Sequence, residues 1–172
     1  MQNTIRRATV ADVDALSALS RDTFDETFGH LYTPDDLRHY LDTTYDPKRY
    51  AAQLEEQGCA AWLLEEDGKA VGYAMAGPCK LPHAEVRPGD MELMRLYVRR
   101  ELQNGGHGAR LFAQAMGWIV ANGPASCWLG VWSENLGAQR FYQRHGFDRV
   151  GEYLYEVGTA RDLEFIFRRD MD

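Results

Sequence analysis

The segment Val98-Arg99-Arg100-Glu101-Leu102-Gln103-Asn104-Gly105-Gly106-His107-Gly108-Ala109 decides how this chain is read. A strand-like stretch, Met91 to Val98, runs into it. A helix-like stretch, Gly106 to Asn122, leaves it, with Leu111, Phe112, Ala115, Met116 and Ile119 on the inward side. Three glycines within four residues let the backbone turn tightly and meet a ligand with no Cβ in the way. The first turn of the helix has free N–H groups and a partial positive charge. Together these features compose a site for a pyrophosphate, although a flexible strand-to-helix connection would look the same on the glycines alone. The Rossmann pattern GxGxxG and the P-loop pattern GxxxxGK[ST] are both absent.

Working outward, Asn3 to Arg7 reads as a first strand and the pattern turns helical from Ala11. Val13, Leu16, Leu19, Phe24 and Phe28 form its apolar stripe. Thr33-Pro34 and Asp46-Pro47 are each an N-cap followed by proline at the first helical position, opening helices to about Leu41 and about Gln57. Gly58 ends the second. Cys59 to Glu65 and Ala70 to Ala76 are strands joined by the hairpin turn Asp67-Gly68. Lys80 to Gly89 is a proline-containing loop. Ser126 to Trp132 is a strand, Glu134 to His145 a helix, and Phe147 to Leu154 with Leu163 to Phe167 a closing strand pair. The order βαα(α)βββαβαββ gives an α/β fold with helices on a central sheet, expected as one domain over residues 1–172.

The net charge of −7 disfavours a nucleic-acid partner and would attract a cationic substrate. No apolar run is long enough to span a membrane, and Met1 to Val10 lacks an apolar signal core, so no membrane partner is expected. Cys59, Cys79 and Cys127 are odd in number and far apart, which reads as free thiols in a reducing cytoplasm. The five histidines have no metal-ligand spacing, so no metal site is expected.

Two motifs carry a family resemblance. Gln103-x-x-Gly106-x-Gly108-Ala109 resembles the Q/R-x-x-G-x-G/A signature of the GNAT superfamily of N-acetyltransferases. Asn135-Leu136-Gly137-Ala138-Gln139-Arg140-Phe141-Tyr142-Gln143-Arg144-His145-Gly146-Phe147 is similar to its N-x-x-A-x-x-F-Y-x-x-x-G-F segment at every fixed position. The two stand in the family's order, separated by Cys127 to Trp132. The stretches Thr23 to Phe28, Trp128 to Trp132 and Gly158 to Leu163 resemble the bacterial PaiA-type spermidine/spermine acetyltransferases. The resemblance implies a mixed, mostly antiparallel sheet flanked by helices and splayed between its fourth and fifth strands. It implies acetyl-CoA as cosubstrate, a small-molecule amine as partner with a polyamine as the specific expectation, and a fold in which homodimers are common.

Such a reaction needs a base for an alkylammonium of pKa near 10.4, a donor for the developing oxyanion, and a proton for the leaving sulfur. The resemblance places the base at Glu92 and the acid at Tyr142. It assigns cofactor binding to Leu96, Tyr97 and Val98, to Gln103, Gly105, Gly106, His107, Gly108 and Ala109, and to Asn135, Ala138 and Tyr142. Arg99, Arg100 or Arg144 would meet the 3′-phosphate. The acceptor is expected between Glu26, Phe28 and Tyr32 on the early helices and Tyr153 and Tyr155 on the late strands. Asn135 has two open roles, bonding the cofactor or capping its helix. Two other functions fit the same residues: acetylation of a protein N-terminus or lysine, and a noncatalytic acetyl-CoA-binding module.

Overall fold

The computed structural model describes residues 2–171. Its elements are β1 (Asn3–Arg7), α1 (Val13–Phe28), α2 (Pro34–Thr44), α3 (Pro47–Glu55), β2 (Ala60–Glu66), β3 (Lys69–Pro78), β4 (Met91–Val98), α4 (His107–Ala121), β5 (Ser126–Trp132), α5 (Leu136–Arg144), β6 (Asp148–Val157) and β7 (Ala160–Asp170). This is the expected order, with the elements beginning and ending where local chemistry allows. Thr33 Oγ1 accepts from the Asp36 N–H at 3.2 Å, and Asp46 Oδ1 accepts from the Lys48 N–H at 2.8 Å, each just before a proline. Between β2 and β3, Asp67 and Gly68 have φ of 51° and 81°, as the two-residue hairpin turn requires. Some boundaries move. The second helix runs on to Thr44, the third stops at Glu55, and the closing strands extend to Val157 and Asp170.

Seven strands form one sheet in the order β1-β2-β3-β4-β5-β7-β6. All neighbours are antiparallel except β4 and β5. Both faces are covered, so β2 is apolar at successive positions: Ala60, Trp62 and Leu64 enter one core, Ala61 and Leu63 the other. The first core packs under α4 through Leu111, Phe112, Ala115, Met116 and Ile119. The second packs under α1 to α3 through Leu16, Leu19, Phe24, Leu41 and Tyr50.

Two departures from a regular sheet create the site. The parallel β4–β5 ladder holds only Met91 opposite Cys127 and Glu92 opposite Trp128, and beyond that the strands splay. On the other side of β4, Arg95 pairs with Met75 and Leu93 with Ala76, leaving Met94 as a bulge. The bulge reverses the side-chain alternation. Leu93 and Leu96, three apart, share the α4 core, while Met94 and Tyr97 join the α1–α3 core.

Candidate active site

A cleft of about 550 Å³ opens where β4 and β5 part. One half is made by Leu96, Val98, Gln103, Val131, Asn135, Ala138 and Tyr142. The other half is made by side chains on the α1–α3 face, among them Phe28, Tyr32, Glu92, Tyr153, Tyr155 and Glu164.

Past Glu92, β4 has no ladder partner on β5, so this edge of residues 93–98 is free to pair with an extended ligand. Below it, Gln103 folds back and donates from Nε2 to the Val98 carbonyl at 3.2 Å, tying the loop to the strand end. Asn104 and Gly106 have φ of 67° and 83°, turning the chain into α4. A Cβ added at Gly106 or Gly108 would meet nothing within 4 Å, so the loop leaves open space over the start of the helix. His107 Nδ1 is buried there without a protein partner. An anionic group fits this set: open glycine backbone, a helix N-terminus and an unpaired ring nitrogen. Ala109 continues the first turn of α4. Asn135 caps α5, its Oδ1 accepting from the Ala138 N–H at 3.2 Å, and it also lines the cleft.

Tyr142 lies on α5 among Phe112, Phe141 and Phe147, with ring centroids 6.0, 5.4 and 6.1 Å away. Burial raises its phenol well above the ordinary tyrosine range, so it is a proton donor at neutral pH. Glu92 sits at the last paired position of β4 and accepts from the Lys80 N–H at 3.0 Å. Burial lifts its carboxyl to about 7, against the opposing pull of that hydrogen bond and of the Lys80 and Arg95 charges.

The half of the cleft on the α1–α3 face follows from strand pairing. Tyr153 stands opposite Glu164 and Tyr155 opposite Asp162, so the four side chains share one face of the β6–β7 hairpin. Tyr153 donates to Glu164 Oε1 at 3.2 Å. Tyr32 donates to Asp162, and the hydroxyls of Tyr40 and Tyr155 lie 2.5 Å apart. Gly130 on β5 leaves room for the Tyr153 side chain, since a Cβ there would stand 3.1 Å from the Tyr153 hydroxyl oxygen, a tight contact. Phe28 closes the wall edge-on to Trp132, with centroids 5.7 Å apart. Burial is the main cause that raises Glu164 to about 7, with the Asp162 and Glu92 charges adding to it.

Of the acceptor residues expected from sequence, Phe28, Tyr32, Tyr153 and Tyr155 meet in the cleft. Glu26 does not line it. Its carboxylate faces the Arg100 backbone N–H, and its carbonyl accepts from the Arg100 guanidinium. Arg99 is held by Asp22 at 3.1 Å, while Arg144 makes no ion pair among the described residues. Sequence reading missed Glu164, Asp162, Tyr40 and Arg95. The signal for the first two was present: acids alternating with Leu163 and Phe165 place two carboxylates on one strand face. Among the described residues there is no cluster able to hold a metal ion and no helix long and apolar enough to cross a membrane.

A family model described as acetyltransferase (GNAT) family matches residues 20–147. An uncharacterized N-acetyltransferase of Lactobacillus delbrueckii subsp. lactis is 30% identical over 158 residues, covering 92% of this chain and 91% of the relative. The structure of the PaiA N-acetyltransferase from Thermoplasma acidophilum in complex with coenzyme A aligns with a TM-score of 0.79 at 18% identity, covering 99% of this chain and all of that one (100%). A putative acetyltransferase from Salmonella typhimurium, solved with its cofactor acetyl-CoA, aligns with a TM-score of 0.73 at 23% identity, over 100% of this chain and 95% of the other.

Proposed function

The chain belongs to the GNAT family of acetyltransferases, and from that premise we propose that it moves an acetyl group from acetyl-CoA to the primary amine of a small acceptor, with both substrates bound at once. Bound acetyl-CoA supplies the activated acetyl thioester. The chain's own residues do the rest. The free edge of β4 from Leu96 to Val98 takes the extended arm of the carrier as an added strand. Gln103 to Ala109 present backbone N–H groups to the diphosphate, and Ala138 keeps α5 clear of the arm.

Glu92 removes the proton from the incoming ammonium, directly or through water. A carboxyl near 7 divides its time between both protonation states at neutral pH, which suits a base. Tyr142 holds a proton for the departing sulfur. Glu164 and Asp162, with Tyr32 and Tyr153, attract and orient the ammonium. Polyamines meet this requirement and are the acceptors that the PaiA-type resemblance implies.

The observation that carries the reading is Glu92: a half-buried carboxylate at the point where β4 and β5 part, lining the cleft on the acceptor side. A panel of small amines and short peptides, run with acetyl-CoA and thiol detection, tests it. Turnover of small amines and not of peptides is expected. Turnover confined to peptide N-termini or peptide lysines would overturn the small-acceptor reading, and coenzyme A binding with no acceptor turned over would reduce the chain to a binding module.

A further inference from the structure

The acceptor half of the cleft also holds a cation that a polyamine leaves unused. Arg95 lines the cleft and is otherwise enclosed by protein. The bulge at Met94 is what turns it onto this face. Its guanidinium carbon stands 5.1 Å from the ring centroids of both Tyr45 and Tyr50, and Nη1 lies 4.0 Å from Met75 Sδ. Among the described residues it makes no ion pair and no hydrogen bond to oxygen.

That is an unusual state for arginine. A guanidinium carries five N–H donors in a fixed fork, and taking it out of water is costly unless those donors are met. The two tyrosine faces return part of that cost but accept none of the N–H groups in the plane of the fork. Arg95 is half-buried, and the N–H groups it leaves unpaired face the cleft, where a planar anion suits them: a carboxylate matches the fork with two parallel bonds. Neighbouring groups favour the same occupant. Arg49, on the exposed side of α3, lines the cleft without an ion pair among the described residues, so the positive charge is doubled. Glu92, the proposed base, lies three positions upstream on the same strand. At ~3.3 Å per residue, the acidic and basic poles are separated by roughly 10 Å of backbone.

We propose that the acceptor is a zwitterion, an amino acid or related amino carboxylic acid, whose carboxylate docks on Arg95 while its reacting amine, several bonds away, faces Glu92. This rests on the cleft being the acceptor site of the acetyltransferase and narrows the acceptor class. Carboxylate-bearing amines then stand ahead of polyamines.

Matched pairs test it: lysine against cadaverine, ornithine against putrescine, and 4-aminobutyrate against propylamine. Each is assayed for turnover with acetyl-CoA and for binding by calorimetry in the presence of coenzyme A. The acid-bearing member of at least one pair should exceed its decarboxylated partner in kcat/KM by on the order of 10- to 100-fold, carried mainly by KM. Arg95→Met should bring that ratio toward one, and Arg95→Lys, which keeps the charge and loses the fork, should fall between. Coenzyme A affinity reports whether each variant is folded, and should Arg95→Met fail there, Arg95→Lys and the wild-type ratio decide alone. Equal or better use of the decarboxylated amines, or a ratio insensitive to Arg95, would overturn the inference while leaving the acetyltransferase reading in place. If no amine is turned over yet the acids still bind through Arg95, the carboxylate site at Arg95 stands, but the zwitterion as acceptor is overturned together with the catalytic reading. If no acid is either turned over or bound, the inference is wrong.

Discussion

Glu92→Gln separates the two consequences of burying a base. The folded state holds this carboxyl at about 7, against an ordinary value of 4.5, because burial penalises the charged form. Since the folded value lies above the unfolded one, the stabilisation from the protonated group is fully present below about pH 4.5. It is lost as the pH rises through about 7. Each pH unit of displacement is worth about 1.4 kcal/mol, so the ionised carboxylate costs the fold on the order of 3 kcal/mol at pH 8. Glutamine is an isostere of the neutral acid and keeps an oxygen for the Lys80 N–H. Thermal unfolding should therefore show wild type and variant nearly matched at pH 5. At pH 8 the variant should melt higher, by about 5–10 °C for a chain of this size. Turnover should move the opposite way, falling by roughly 10²-fold or more, with the wild-type rise in kcat/KM through pH 7 abolished. A stability gap that is the same at pH 5 and pH 8, or a variant that keeps the wild-type pH–rate profile, would refute the argument.

Three further outcomes follow from the same geometry. Tyr142→Phe should lower turnover by roughly 10²-fold while leaving acetyl-CoA affinity near wild type, and full activity would remove the phenol from the mechanism. A Cβ at Gly108 meets no protein atom within 4 Å and Gly108→Leu replaces a poor helix former, so the melting temperature should not fall, whereas coenzyme A affinity measured by titration should drop at least about tenfold; unchanged affinity would place the diphosphate elsewhere. Glu164→Gln should raise stability at pH 8 more than at pH 5, by the same reasoning as for Glu92, and should raise KM for the amine more than it lowers kcat; a loss confined to kcat would instead make Glu164 the base.

Much of the site was legible because its signals are local. The turn at Gly105, Gly106 and Gly108 and the cap at Asn135 each depend on interactions within a few residues. The acidic β7 positions were legible in pattern, but not in role. Asp162 and Glu164 come to line the cleft only through register, which sets them opposite Tyr155 and Tyr153. Glu26 shows the converse: an acid in a suggestive place that the fold turns toward Arg100.

Periodicity, caps and turn residues in the chain itself settled the order of strands and helices, the strand–glycine–helix junction and the family, because each is written in neighbours along the backbone. The tertiary structure alone decided which side chains share the cleft. A single unpaired residue, Met94, sends Leu96 and Arg95 to opposite faces from those that simple alternation assigns. The apolar spacing of three from Leu93 to Leu96 records that break, but a bulge exists only relative to a partner strand, and Met75 and Ala76 lie nearly twenty residues away along the chain.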